Sequence, residues 1–178
     1  MIIGLTGTMG SGKGEVVNIL MSKGFEHHVF SDIIREEAKK RGLKPTRENL
    51  QKVGNTLRKE KEPGYMAKML IKRFKKQDVV VDGIRSLDEL DALKERQDFV
   101  LVGVDAPQRL RYERIKARER KGDPDSFEEF KMLDDRENNA TGKGQEIRRC
   151  IAKADHLIIN DSSIEELRKN VEDILSDI

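Results

Sequence analysis

Short segments with the look of buried strands, most of them apolar runs, recur along the chain at 2–6, 27–30, 79–82, 99–105 and 156–160, and each is followed by a longer stretch where hydrophobic residues return every three to four positions. The runs have strand length and are rich in Val and Ile, while the periodic stretches have the spacing of amphipathic helices. Strand and helix alternating in this way predict a three-layer α/β fold with a five-stranded parallel sheet. The ends of the helices are marked too. Ser86–Glu89, Ser126–Glu129 and Ser163–Glu166 have the spacing of capping boxes. Pro63 and Pro107 suit first-turn positions, and Gly24 and Gly42 suit C-terminal stops. In the last helix Ile164, Leu167, Val171 and Ile174 form one apolar face.

No repeat, low-complexity tract or linker divides the 178 residues, so a single domain is expected. Residues 43–75 read as an all-helical insertion between the second and third strands. Residues 114–127 read as the end of a helix running into a charged turn. Lys plus Arg number 35 against 33 for Asp plus Glu, a balance that argues against a general nucleic-acid binder. The 38% of charged residues is spread over periodic segments, which points to solvated helix faces rather than disorder. Cys150 is the lone cysteine, so no internal disulfide or cysteine metal cluster forms, and a small buried side chain is its expected role. No stretch is apolar for long enough to span a membrane, and the first strand leaves no room for a leader. A cytoplasmic protein, monomer or homodimer, is expected.

Chemistry enters directly after the first strand. Gly7-Thr8-Met9-Gly10-Ser11-Gly12-Lys13, followed by Gly14 and Glu15, sits between that strand and a helix. Three glycines let backbone amides close around phosphate oxygens, the helix places its positive end behind the anion, and Lys13 would meet the β- and γ-phosphates. This is a phosphate-binding loop for a nucleoside triphosphate. Past the second strand comes Asp32 with Arg35, and past the third Asp82 with Arg85. Paired guanidiniums from separate strands suit a clamp on an acceptor's phosphate; the plain reading is two helix-start arginines paired with local acids. Asp82 ends an apolar strand, the setting of a magnesium-holding carboxylate. Asp32 is the other candidate for Mg²⁺, or a base orienting the attacking oxygen, or only a helix cap. Arg114, Arg118, Arg120 and Lys121 lie on and after the helix that follows the fourth strand. One or two of them would come down on ATP as a lid, the rest forming a solvated face. Arg136 would reach back into the same cleft. The Asn160–Ser163 segment either caps the last helix or lies against an adenine ring. The three histidines have no ligand spacing.

These residues resemble the P-loop kinases of small molecules. Residues 4–13, 104–107 and 154–161 are similar to dephospho-coenzyme A kinase, and the Asp32/Arg35 and Asp82/Arg85 pairs are similar to adenylate kinase. Residues 46–58, ending in Arg58, together with 82–89, resemble deoxynucleoside monophosphate kinases. As a whole the chain looks most like the adenylate-kinase-related and dephospho-coenzyme-A-kinase-like proteins common in archaea. The resemblance implies ATP with Mg²⁺, an acceptor-binding helical region that includes Arg58, and a short closing lid. It also implies transfer to a nucleoside or deoxynucleoside monophosphate, with dephospho-coenzyme A as the alternative acceptor. A nucleotide-gated ATPase with a protein or RNA partner is the alternative of another class. Two departures stand out: Gly14 replaces the usual magnesium-binding hydroxyl, with Glu15 after it, and the lid is short.

Overall fold

The computed structural model describes residues 1–120, 122–138 and 146–178. The chain runs β1 (Ile2–Gly7), α1 (Lys13–Ser22), β2 (Glu26–Val29), α2 (Phe30–Lys40), α3 (Arg47–Glu60), α4 (Tyr65–Ile71), β3 (Val79–Asp82) and α5 (Leu87–Lys94). It continues through β4 (Phe99–Asp105), α6 (Gln108–Ala117), α7 (Phe127–Asn138), α8 (Ile147–Ile151), β5 (His156–Ile159) and α9 (Ile164–Asp177). The strands form one parallel sheet in the order β2-β3-β1-β4-β5, so the strand leading into the phosphate loop is central.

Alternation along each strand splits the core into two layers. Ile2, Val79, Val81 and Leu101 face one side and pack with residues of α2 to α5 and Cys150 of α8. Ile3, Leu5, Val80, Val102 and Val104 face the other side and pack with α1 and α9. The inner strands β1, β3 and β4 are apolar almost throughout because both of their faces are covered, whereas edge strand β2 reads Glu26-His27-His28-Val29 and edge strand β5 leaves Leu157 and Ile159 exposed. A third cluster of Tyr112, Ile115 and Phe130 ties α6 to α7. Val53 and Leu57 of α3 and Met66 and Leu70 of α4 share the core of Ile2 and Val79, so the predicted insertion is part of the main body. Cys150 is fully buried, and burial pushes its thiol up to about 12.

Element ends differ from expectation in small ways. Phe30 opens α2 instead of closing β2, because the ladder with β3 ends at the pair Val29 and Asp82 and the Phe30 ring turns into the core. Ser86 and Glu89 form a full capping box. At α7 Ser126 accepts from the Glu129 amide at 3.1 Å, but the Glu129 carboxylate reaches one residue further back, to the Asp125 amide. Neither proline stands in a first turn. Pro107 is the N-cap of α6, and Gly64 is the N-cap of α4, placing Pro63 before it.

Candidate active site

β1 ends at Gly7, and the chain loops through residues 8–12 before α1 begins at Lys13. The loop is fixed from outside by three elements. Thr8 Oγ1 donates to Asp105 at the end of β4 (2.5 Å), Arg111 of α6 donates to the Met9 carbonyl (3.0 Å), and the Asn160 amide after β5 donates to the Ser11 carbonyl (2.9 Å). Lys13 Nζ folds back onto the Gly7 and Thr8 carbonyls at 2.8 and 2.9 Å. Gly12 has φ +98°, and a Cβ there would run into Asn160 Nδ2, so both backbone conformation and neighbour demand glycine. As N-cap of α1, Gly12 makes no side-chain cap bond, which leaves the first amides of the helix open to a ligand.

A cleft of about 1000 Å³ opens above the carboxyl ends of the strands, the place where parallel sheets bind ligands. Of the residues singled out from the sequence, Gly7, Met9, Gly10, Ser11, Gly12, Lys13, Gly14 and Glu15 line it. So do Arg35, Arg58, Asp82, Arg85, Arg114, Arg118 and Arg120. Three others do not. Thr8 is buried behind the loop on Asp105. Asp32 is on the first turn of α2, its side chain 56% exposed and paired with Arg35 at 2.9 Å. Arg136 is on the outer face of α7, donating to Gln51 Oε1 at 3.0 Å. Lys121 lies outside the described residues.

The cleft's cations are held by local partners. Arg35 also donates to Ser31 Oγ (2.7 Å), and Arg118 makes a two-pronged pair with Asp123 (2.6 and 2.7 Å). Arg114 donates to the Asn160 carbonyl (2.9 Å), and the buried Arg58 pairs with the buried Glu89 (2.8 Å). Arg47 and Glu137 are charged lining residues that the sequence did not single out as site residues. Arg47 pairs with the buried Glu137 at 2.9 Å, and Glu137 also lies 4.0 Å from Arg85. Arg47, Gln51, Gly54 and Arg58 follow helical spacing along α3 and all line the cleft, a stripe that periodicity alone would reveal. Glu137 has no such signal.

Burial pushes the Lys13 ammonium down to about 8, with the Asp82 carboxylate acting against that shift and Arg85 adding to it. Asp82 Oδ1 is sealed from water and has no hydrogen-bond partner among the described residues. A hard carboxylate oxygen left unpaired beside the phosphate-loop lysine fits Mg²⁺. Among the described residues no group of three or more acids, histidines or cysteines could cage a metal, so phosphate and water would complete its shell. Gly14 offers no hydroxyl. Among the described residues no helix is long and apolar enough to cross a membrane.

Solved structures match the fold end to end. Shikimate kinase from Aquifex aeolicus superposes with a TM-score of 0.57 at 23% identity, covering 99% of this chain and 97% of its own. A gluconokinase from Sinorhizobium meliloti gives a TM-score of 0.55 at 13% identity, covering 98% and 91%. The fold is therefore the α/β P-loop kinase fold, as the sequence implied. The sequence family described as the AAA domain matches residues 6–131. The UPF0200 protein of Thermococcus gammatolerans is 39% identical over 186 aligned positions, covering 100% of this chain and 95% of that protein. The chain thus belongs to the UPF0200 family and carries an AAA domain across residues 6–131.

Proposed function

We propose that the chain transfers the γ-phosphoryl group of ATP to a small phosphate-bearing acceptor, a nucleoside or deoxynucleoside monophosphate. One observation carries this reading: a single cleft has arginines on both sides of the phosphate loop. Arg35 and Arg85 follow β2 and β3 on one side of central β1, while Arg114, Arg118 and Arg120 follow β4 on the other. Two anionic ligands meeting over Lys13 would use both groups.

Arg35 and Arg85 hold the acceptor phosphate, and Arg118 or Arg120 closes over the ATP phosphates as charge spreads on the moving group. Arg114 rests against the segment after β5, where the base end of ATP would lie. Asp82 would hold Mg²⁺, which when bound neutralises phosphate charge. An acceptor phosphate oxygen attacks the γ-phosphorus in line, the bond to the β-phosphate bridging oxygen breaks, and ADP leaves. No base is needed, because the attacking oxygen is already anionic. A hydroxyl acceptor such as dephospho-coenzyme A needs a base, and Asp32, the acid considered for that task, is paired with Arg35 outside the cleft lining.

The test is ADP formation from ATP·Mg²⁺ against nucleoside and deoxynucleoside monophosphates and dephospho-coenzyme A, with products identified by mass. Stimulation by one acceptor, lost in Arg85→Ala, supports the proposal. A flat panel with slow hydrolysis quickened by a protein or RNA would replace it with a nucleotide-gated partner-binding role.

A further inference from the structure

Arg47 crosses the cleft. It opens α3, a helix packed on α2 and α4, yet its guanidinium reaches the elements that follow β4. Nη2 donates to Met9 Sδ in the phosphate loop at 3.1 Å and to Glu137 of α7 at 2.9 Å. The Met9 side chain itself packs against Tyr112, Ile115 and Phe130 of α6 and α7. Asp123 lies in the turn between those helices. Its carboxyl is held below the ordinary range chiefly by the bonds from Arg118, and the nearby charge of Arg47 adds to that effect. One arginine from the half that carries Arg35 and Arg85 therefore stands over the phosphate loop, against the half that carries Arg114, Arg118 and Arg120.

Its partner is central as well. Glu137 is 7% exposed, gives Oε1 to Arg47, and has Oε2 4.0 Å from Arg85. Burial lowers the Lys13 ammonium, and Glu137, after Asp82, is a carboxylate that acts against that shift. A single acid thus sits among the loop lysine, an arginine of the acceptor clamp and Arg47. Among the described residues both hydrogen bonds of Arg47 come from Nη2, which leaves Nε and Nη1 as donors. The Arg47 side chain lines the cleft and is 37% exposed, so a ligand can reach it. Arg118, by contrast, has Nε and Nη2 engaged by Asp123.

We infer that Arg47 is a catalytic residue of the proposed transfer, its guanidinium contacting the phosphoryl group in transit while Glu137 positions it over the loop. The inference rests on the proposed function and deepens it. In that step an acceptor phosphate oxygen forms the bond to the γ-phosphorus. The bond to the bridging oxygen breaks, its electron pair leaves with ADP, and no proton moves. Charge spreads over the equatorial oxygens midway between the two ligands, the part of the cleft that Arg47 spans. A planar fork anchored through one nitrogen keeps its other donors aimed while it works, so little reorganisation is needed when the charge develops.

The experiment uses the full chain with ATP·Mg²⁺ and the monophosphate that most stimulates ADP formation. Arg47→Ala is expected to lower kcat by about a hundredfold or more, with KM for ATP and acceptor changed by no more than about threefold. Added guanidinium ion should restore part of that kcat and leave the wild type unaffected. Binding gives a readout without turnover. Mg·ADP with aluminium fluoride and the same monophosphate, a mimic of the group in transit, should bind Arg47→Ala far more weakly than wild type, while Mg·ADP alone binds both alike. Glu137→Gln is expected to lower kcat but to leave the acceptor KM equal or lower, because a carboxylate no longer competes for Arg85. Should Arg47→Ala fail to fold with Glu137 left unpaired, Arg47→Ala combined with Glu137→Gln removes that charge and carries the same expectations for kcat and the mimic. A folded Arg47 variant with wild-type kcat, or one in which only the acceptor KM rises, overturns the inference and leaves the phosphotransferase reading standing. A wild-type chain that no monophosphate stimulates removes both.

Discussion

Arg111 and Asp134 face each other in a fully buried, two-pronged ion pair, with Nη1 and Nη2 at 2.5 and 2.7 Å from the two carboxylate oxygens. The same guanidinium donates to the Met9 carbonyl at 3.0 Å and to the Ala106 carbonyl at 2.9 Å. Gln108 adds a bond to Asp134 at 2.9 Å. The pair thus joins α6, α7 and the phosphate loop through one planar group, a geometry that arginine supplies and lysine does not.

Removing one partner leaves a charge in the core, which costs about 3–5 kcal/mol. Asp134→Asn is expected to unfold at clearly lower urea and to bind nucleotide more weakly, because Arg111 loses the partner that positions it on Met9. The pH dependence has a definite sign. Burial pushes the Asp134 carboxyl up, but the bonds from Arg111 and Gln108 outweigh it and hold it below the ordinary carboxylate range. Its contribution is therefore complete above the ordinary value of about 4 and is lost as pH falls through the depressed folded value. Urea midpoints should show a constant gap between wild type and variant at neutral pH that closes only in acid.

Lys13 gives nucleotide binding a pH profile of its own. In the free protein its ammonium is pushed down to about 8, and a bound polyphosphate draws it back up. Above that value the complex holds a proton that the free protein has lost. Affinity should be flat below pH 8 and fall by up to about tenfold per unit above it. Calorimetry at pH 9 in buffers of different ionisation heat should show uptake approaching one proton, abolished in Lys13→Met. For the free protein the unfolded chain binds more protons between about 8 and the ordinary lysine value, so this group's contribution to stability rises with pH across that interval.

The Gly12 contact with Asn160 makes a paired test. Alanine at Gly12 meets both an unfavourable φ of +98° and the Asn160 amide, and the loop has to open. Nucleotide affinity should drop on the order of a hundredfold while the melting temperature changes little, since the site is at the rim of the core. Adding Asn160→Ala removes the clash but not the backbone strain, so the double variant should regain part of the loss. No recovery would mean that φ alone decides the cost.

What could be read in the sequence depended on how far apart the cooperating residues are. The phosphate loop is contiguous, so glycine spacing and the adjoining strand and helix were enough. The inner strands β1, β3 and β4 were legible because burial on both faces makes them nearly uninterrupted apolar runs, a signal that edge strand β2, Glu26-His27-His28-Val29, lacks. Asp32 shows the limit. It follows β2 as expected, but on the first turn of α2 its exposed side chain is taken by Arg35 three residues on, and of the two only Arg35 lines the cleft. Glu137 is 90 positions from Arg47 and meets it only when α3 and α7 are packed, so no local pattern announces the pair, although α3 periodicity marks Arg47 itself. Arg136 is likewise outside the lining and touches it only through Gln51.

Gly14 marks the place where this chain departs from the usual phosphate loop, and the departure is reversible in principle. Among the described residues a Cβ built on Gly14 meets no atom within 4 Å apart from its chain neighbours and its own helix backbone, so a larger residue there meets no obstacle from them. The missing group is a hydroxyl next to Lys13, where phosphate loops commonly present one to Mg²⁺. Without it a bound metal would depend on Asp82, phosphate and water, as proposed above. Gly14→Ser should therefore lower the Mg²⁺ concentration that half-saturates ATP turnover by about three- to tenfold, with little change in ATP affinity measured without metal. Gly14→Ala supplies the same Cβ and helix propensity but no hydroxyl, and it separates the two effects. If serine and alanine act alike, the benefit comes from a stiffer helix start. If serine alone lowers the Mg²⁺ requirement, the open space at Gly14 faces the metal, and the wild-type chain works with a more hydrated ion than a hydroxyl-bearing loop would hold.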